Sequence, residues 1–400
     1  MLTLLEQKTQ VMESVINPAL ITETSDKTSK NKIQYINHIK VLLTILVVLH
    51  HAAITYGAPG GWYYQQKTTL LAVRFPMAIL TATDQSFFMG LFFFLSALFV
   101  ESSYQKKGAA KFLGDRLKRL GIPLVFYSLI LSPILNYMVE HYGNGQHYSF
   151  IEYMSGYHHW VDFGVLWFAA ALLIFNLVYL LFKTVPALKI NLSYQLPSTG
   201  WLLGAGLLLG LVSFLTRLLF PTGWSWQPLG FQLGYFPQYI VFFIVGIIAS
   251  KNDWLNQLNL KQGKQMRGMA WVMVLVLLPA LFILFLMMKF PGDYFNGGWN
   301  PIALSYSLWE QLTGVMISIA LLSISKFKWN NPSARLTGMS NNAFGVYIFH
   351  PVVLIGLSLL VSSWAVDPAV KLIVVAPAAI VLIFWLVALL RKIKVIRDII

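Results

Sequence analysis

The residues best able to do chemistry stand inside apolar stretches, where ionisable groups are costly to keep. Asn37-His38-Ile39-Lys40 opens the first of these stretches, and after nine largely apolar residues the chain reaches His50-His51. Imidazole titrates near neutral pH and is the usual general base in group transfer. Lys40 and His51 are eleven positions apart. On a helix that is close to three turns, on nearly one face, with a separation of about 16 Å, so the two could line one polar pathway. Ionisable residues within a span are costly, by about 2.5–3.5 kcal/mol for Lys on insertion scales, and usually face a bundle interior or water. The plainer alternative has Lys40 reaching back to the membrane surface while one histidine caps the far end. Neighbouring helical positions are rotated by about 100°, so His50 and His51 cannot face the same point, and it is His51 that continues the line from Lys40.

A second group, Phe112-Leu113-Gly114-Asp115-Arg116-Leu117-Lys118-Arg119-Leu120, precedes another apolar stretch. Arg116 and Arg119 are three apart, share a helical face, and could clasp phosphates bidentately. Taken alone they read more simply as a basic anchor against lipid headgroups. A third group is Tyr347-Ile348-Phe349-His350-Pro351, in which the proline frees the Tyr347 carbonyl and creates local polarity beside His350. A structural histidine and a ligand contact fit that pattern equally. Between the apolar stretches lie Trp62-Tyr63-Tyr64, then His141, His147, Tyr153, Tyr157, His158, His159 and Trp160, then Trp224 and Trp226. Such aromatics normally form an interfacial belt, and their density also suits stacking on sugar rings. His158-His159 has no carboxylate at a spacing that would complete a metal site, so no metal is assigned.

The elements that must position these groups follow from composition. The 400 residues are 57% hydrophobic and only 11% charged, against roughly 25% charged in an ordinary soluble domain. A helix needs about 20 mostly apolar residues to cross the hydrocarbon. Ten stretches come near that length: Ile39–Tyr56, Thr83–Ser102, Leu120–Val139, Val165–Phe182, Trp201–Phe220, Phe236–Ser250, Met269–Met288, Ile302–Ile324, Ala343–Val361 and Val370–Leu390. The fold class is an all-α integral membrane protein, with about ten transmembrane helices in one polytopic bundle. Its domains are a polar tail over 1–38 with Lys8, Lys27, Lys30 and Lys32, a membrane domain over 39–390, and a basic tail over 391–400. The further apolar stretch Thr68–Leu80, interrupted by Arg74 and Pro76, reads as lying at the outer surface.

Charge supports this arrangement, because basic residues near span ends are retained in the cytoplasm. The connections that ten spans place inside hold Lys106, Lys107, Lys111, Arg116, Lys118, Arg119, Lys183, Lys189, Lys251, Lys261, Lys264, Arg267, Lys326, Lys328 and Arg335, and Arg391, Lys392, Lys394 and Arg397 follow the last span. Only Lys67, Arg74, Arg217, Lys289 and Lys371 fall outside. The net charge of +14 is thus explained by orientation in a plasma membrane with both termini cytoplasmic, and not by a nucleic-acid partner. The absence of cysteine excludes disulfides, a thiolate nucleophile and iron–sulfur chemistry. No internal repeat supports a two-fold transporter.

Four blocks in order carry a resemblance: YINHIKVLLTILVVLHH at Tyr35–His51, SFFMGLFFFLSALF at Ser86–Phe99, FLGDRLKRLGIPLVFY at Phe112–Tyr127 and SNNAFGVYIFHP at Ser340–Pro351, with Leu166-Trp167-Phe168 agreeing as well. Together they resemble the integral-membrane acyltransferase-3 family, and AITYGAPGGWYY is similar to its glucan biosynthesis protein C branch. Asn37, Lys40 and Ala97 depart from the Asp, Arg and Gly common at those places. Lysine keeps the charge but loses the planar fork. The resemblance implies O-acylation, of acetyl or succinyl type, from cytoplasmic acyl-coenzyme A as co-substrate to a hydroxyl of an extracytoplasmic glycan, with no permanently bound cofactor. It places His51 and Lys40 in catalysis, Arg116, Arg119 and His350 at the donor, and His50, Trp62, Tyr63 and Trp167 at the acceptor. A transporter or flippase of a glycan or lipid precursor is the rival reading, and such a protein would not consume acyl-coenzyme A.

Overall fold

The computed structural model describes residues 34–184 and 194–400; Lys8, Lys27, Lys30, Lys32 and Lys189 lie outside them. Ten helices are long and apolar enough to cross a membrane, and among the described residues there are no strands beyond one isolated bridge between Trp226 and Phe231. The helices are α1 (Gln34–Tyr56), α2 (Leu71–Ala97), α3 (Val100–Gly143), α4 (Trp167–Thr184), α5 (Thr199–Leu219), α6 (Phe236–Lys251), α7 (Leu260–Met287), α8 (Pro301–Lys328), α9 (Ala334–Leu360) and α10 (Pro368–Leu390). Both the all-α class and the number of spans agree with the hydropathy pattern.

Three boundaries differ in instructive ways. The stretch Thr68–Leu80, expected to lie at the outer surface, supplies from Leu71 onward the first turns of α2, which runs unbroken through Arg74 and Pro76. Pro76 lies inside the helix and leaves the Ala72 carbonyl without its usual intrahelical donor. The first helix begins at Gln34, earlier than the Ile39 expected. The third element covers 44 residues, about 66 Å if straight and far beyond a hydrocarbon core of about 30 Å. Gly108 resolves the excess by adopting φ +71°, a left-handed conformation that only glycine takes without strain, and the chain changes direction there before the segment that crosses.

Helices α1 and α2 are the centre of the bundle. Their most apolar windows are 67% buried within the protein, against 17% for α7, so α7 faces mainly lipid. Helix α1 packs on α2, α9 and α10, and α2 packs also on α6 and α8. Close approach needs small residues: a Cβ added at Gly246 of α6 would meet the Phe94 carbonyl of α2 at 2.6 Å. One end of the bundle carries Lys40, Arg116, Arg119 and Arg391 and is called here the basic end; the other carries Trp62 and the connections 57–70, 140–166 and 220–235.

Buried polar networks fix the packing. Arg217 of α5 is fully enclosed, donating from Nη2 to Glu310 Oε2 of α8 at 2.5 Å and from Nε to the Gly234 carbonyl at 3.2 Å. Gln311 donates to the same Glu310 oxygen at 2.9 Å, and Gln238 of α6 donates to Gln311 Oε1 at 2.9 Å and to the Ser86 carbonyl of α2 at 2.6 Å. Arg217 is therefore an internal tie between helices and does not count against the charge bias. At the basic end, Glu101 accepts from Tyr179 and Lys183, each at 2.7 Å, with Lys251 at 3.6 Å.

Candidate functional site

The turn after α1 brings an indole over an imidazole. Gln66 N–H donates to the Thr55 carbonyl and Thr68 N–H to the Tyr56 carbonyl, while Lys371 Nζ holds Gln66 Oε1 at 2.9 Å and Thr68 Oγ1 holds Asp367 at 3.0 Å. The loop is thereby tied to both the end of α1 and the start of α10. Trp62, at its tip, stacks on His51 with ring centroids 4.1 Å apart and planes within 21°. Tyr63 meets Trp62 edge-on at 5.2 Å, and its hydroxyl is 2.8 Å from that of Tyr127. Burial, with Asp162 nearby, raises the Tyr63 phenol far above its ordinary pKa, so it stays neutral and acts as a prop for the indole.

His51 has a second imidazole beside it. His350 Nε2 lies 3.1 Å from His51 Nδ1, and His350 Nδ1 lies 2.9 Å from the Tyr347 carbonyl. A carbonyl only accepts, so His350 Nδ1 carries the hydrogen and Nε2 is left with its lone pair. His51 Nδ1 must then donate, which leaves His51 Nε2 as the unprotonated nitrogen of the pair. The Tyr347 carbonyl is the one freed by Pro351, so the proline sets the tautomer of both rings.

His50 points elsewhere, as helical rotation requires. It is buried against Phe88, ring centroids 5.0 Å apart, with Nδ1 3.6 Å from Asp84 Oδ2 of α2. Asp84 was not singled out from the sequence, although a lone carboxylate in an apolar span is itself a functional signal.

Two cavities meet behind these residues. The larger, about 780 Å³, is lined by His50, His51, Arg74, Gln85, Trp167, Tyr235, Tyr239 and Tyr306, with the glycine-rich turns 57–61 and 222–230 at its mouth. The smaller, about 420 Å³, opens at the basic end and is lined by Lys40, Arg116, Arg119, Arg391 and Arg397, with no carboxylate side chain among its lining residues. Val47, Met89 and Tyr347 line both. The Tyr347 hydroxyl donates to the Val165 carbonyl across this partition. Arg116, which lines the smaller cavity, has its Nε buried without a hydrogen-bond partner; buried polar groups are nearly always satisfied, so this is a place that a ligand can complete.

A family model described as an acyltransferase domain, that of the acyltransferase-3 family, matches residues 33–392. The chain belongs to this family. It is a multi-pass membrane acyltransferase. No curated protein and no solved structure matches it.

The structure distributes the acyltransferase residues expected from sequence between the two cavities. Lys40, Arg116 and Arg119 gather at the smaller one, with Lys40 Nζ 5.3 Å from the Phe99 ring centroid. His50, His51 and Trp167 line the larger, and Trp62 and Tyr63 back onto it through His51. His350, expected with the arginines, stands with His51. Arg391 and Arg397 were read only as orientation charges, because a basic run after a last span has that use by default. Residues 391–400 instead return to the bundle: Arg391 donates to the backbone carbonyls of Asn341 and Ile400, and Ile400 lines the smaller cavity.

Proposed function

We propose that the protein transfers an acyl group from acyl-coenzyme A, bound in the basic cavity from the cytoplasm, to a hydroxyl of an extracytoplasmic glycan in the histidine-lined cavity. The observation that supports this reading is the back-to-back pair of cavities with opposite chemistry, meeting at Val47, Met89 and Tyr347. Five cationic side chains with no carboxylate side chain among them suit a nucleotide donor carrying several phosphates. Arg116 Nε, buried and unpartnered, is a donor held ready for such an anion. The thioester, at the end of the flexible pantetheine arm, would pass the partition to reach His51.

At His51 the bare Nε2 takes the proton from the acceptor hydroxyl as its oxygen attacks the thioester carbonyl. The tetrahedral intermediate collapses, the C–S bond breaks, and the departing thiolate receives a proton to leave as free coenzyme A. His350 holds the His51 tautomer, and Trp62 holds the ring plane, so both act by positioning. The basic end, with both termini, is then cytoplasmic, in a plasma membrane. The segment Ala53–Tyr64, AITYGAPGGWYY, is similar to the glucan biosynthesis protein C branch, and that similarity supports an acetyl- or succinyl-type group.

The test is acceptor-dependent release of free thiol by purified protein in nanodiscs, together with mass spectrometry of envelope glycans from cells with and without the gene. His51→Ala should lower turnover by about 10²–10⁴-fold with donor binding retained, and His50→Ala should act more mildly. Normal turnover in His51→Ala, or no donor consumption by the wild-type protein, would reject the mechanism. For orientation, Ser149→Cys should react with an impermeant reagent outside intact cells and Ser333→Cys should not.

A further inference from the structure

The histidine-lined cavity is not closed by protein on every side. Its wall includes Leu71, Phe75 and Ala78 from the first turns of α2 and Phe282, Phe285 and Leu286 from the end of α7. Leu71 is 61% exposed and Leu286 is 50% exposed, so these leucines face the bilayer and the cavity at once. The two helices are bridged there by an edge-on contact of Phe75 with Phe282, centroids 6.1 Å apart. A site for a freely soluble sugar needs no hydrocarbon on the side where the acceptor lies, whereas an alkyl chain gains by lying along such a seam.

Charge at the same mouth narrows the class of ligand. Arg74, one position before Phe75, is the sole formally charged side chain lining this cavity, and among the described residues it forms no ion pair. Lys67 lies near enough that burial and the Arg74 charge lower its pKa. The other cations expected at this end are engaged or lie elsewhere: Arg217 is neutralised by Glu310, and Lys371 is spent on Gln66 and the Ser362 carbonyl.

Resting on the acyl-transfer reading above, we propose that the acceptor is a lipid-linked, phosphate-bearing glycan. Its sugar reaches His51, its phosphate pairs with Arg74, and its hydrocarbon tail leaves the cavity sideways between α2 and α7. The acceptor therefore arrives from the membrane plane and not from the aqueous phase.

The chain contains no cysteine, so Ala78→Cys introduces a single reporter in the seam. In nanodiscs of zwitterionic lipid, its labelling by a membrane-permeant maleimide is measured with dodecyl phosphate, dodecanol or inorganic phosphate as competitor. Dodecyl phosphate should protect at about tenfold lower concentration than either half alone, the increment of one charge-assisted contact. Arg74→Gln should abolish the advantage over dodecanol while leaving dodecanol's own protection. Equal protection by inorganic phosphate would make the acceptor a soluble anion; equal protection by dodecanol would make the seam a general lipid contact; no protection would remove the seam altogether. Each of these overturns the proposal. Leu71→Cys, at an exposed position, repeats the measurement should Ala78→Cys fold poorly. Protection of Ser96→Cys, in the basic cavity, by coenzyme A is scored separately; its failure would count against the donor assignment and leave the seam result standing.

Discussion

Arg217 and Arg116 both sit in helices able to cross a membrane, and each has its guanidinium 4.9 Å from an aromatic ring centroid, that of Tyr235 or Phe112. They differ in what completes them. Arg217 has a carboxylate, a carbonyl and the Ser307 hydroxyl within bonding distance, whereas Arg116 Nε is buried with no partner. A charge that the fold satisfies belongs to the scaffold, and one that it leaves unsatisfied is poised for a ligand. The same contrast separates the two cavities from the tie that joins α5, α6 and α8.

The sharpest way to break that comparison is to unpair the scaffold charge. Glu310→Ala should cost about 3–5 kcal/mol of stability, because Arg217 is left buried and uncompensated, and unfolding in nanodiscs should read this as a large fall in midpoint. The double variant Arg217→Met with Glu310→Leu should recover most of the loss. If Glu310→Ala keeps its midpoint, Arg217 is not a structural charge. A smaller effect of another kind is expected at the basic cavity. Arg116→Gln with Arg119→Gln should weaken coenzyme A binding about 10- to 100-fold at an unchanged midpoint, and unaltered affinity by calorimetry would return both arginines to the role of anchors. The smallest effect belongs to Asp84, which sits 3.6 Å from His50 and does not line the larger cavity. Asp84→Asn should slow thiol release by about three- to tenfold; a loss as deep as that of His51→Ala would move the essential imidazole from His51 to His50.

The spans were legible because hydropathy is a property of contiguous residues. Relations between distant residues were not. Nothing in the sequence near Arg217 announces Glu310, so Arg217 looked like an unpaired outer charge. Nothing near His51 announces His350, 299 positions on, although the resemblance had marked both. Asp84 was visible as a carboxylate among apolar residues and was passed over for its more numerous basic neighbours. The continuity of Thr68–Leu80 with the second span was not legible because Arg74 and Pro76 read as breaks, whereas both lie inside one helix of 27 residues. Residues 391–400 show a limit of composition: a basic run reads alike whether it meets headgroups or folds back to wall a cavity.

The partition formed by Val47, Met89 and Tyr347 has a consequence for the cell as a whole. Two water-accessible hollows entering from opposite faces would short-circuit the ion gradients across the membrane if they joined. Here Val47, Met89 and Tyr347 line both cavities, with the Tyr347 hydroxyl latched to the Val165 carbonyl. Side chains can change rotamer without disturbing the helices that carry them, so an opening sized for one acyl chain need not become a conduit for protons or potassium. On the proposed acyl-transfer reading, voltage insulation and passage of the acyl group fall to the same three residues, and the leak conductance of a Tyr347→Ala variant would measure how much of the membrane's electrical resistance at this protein depends on a single phenol ring.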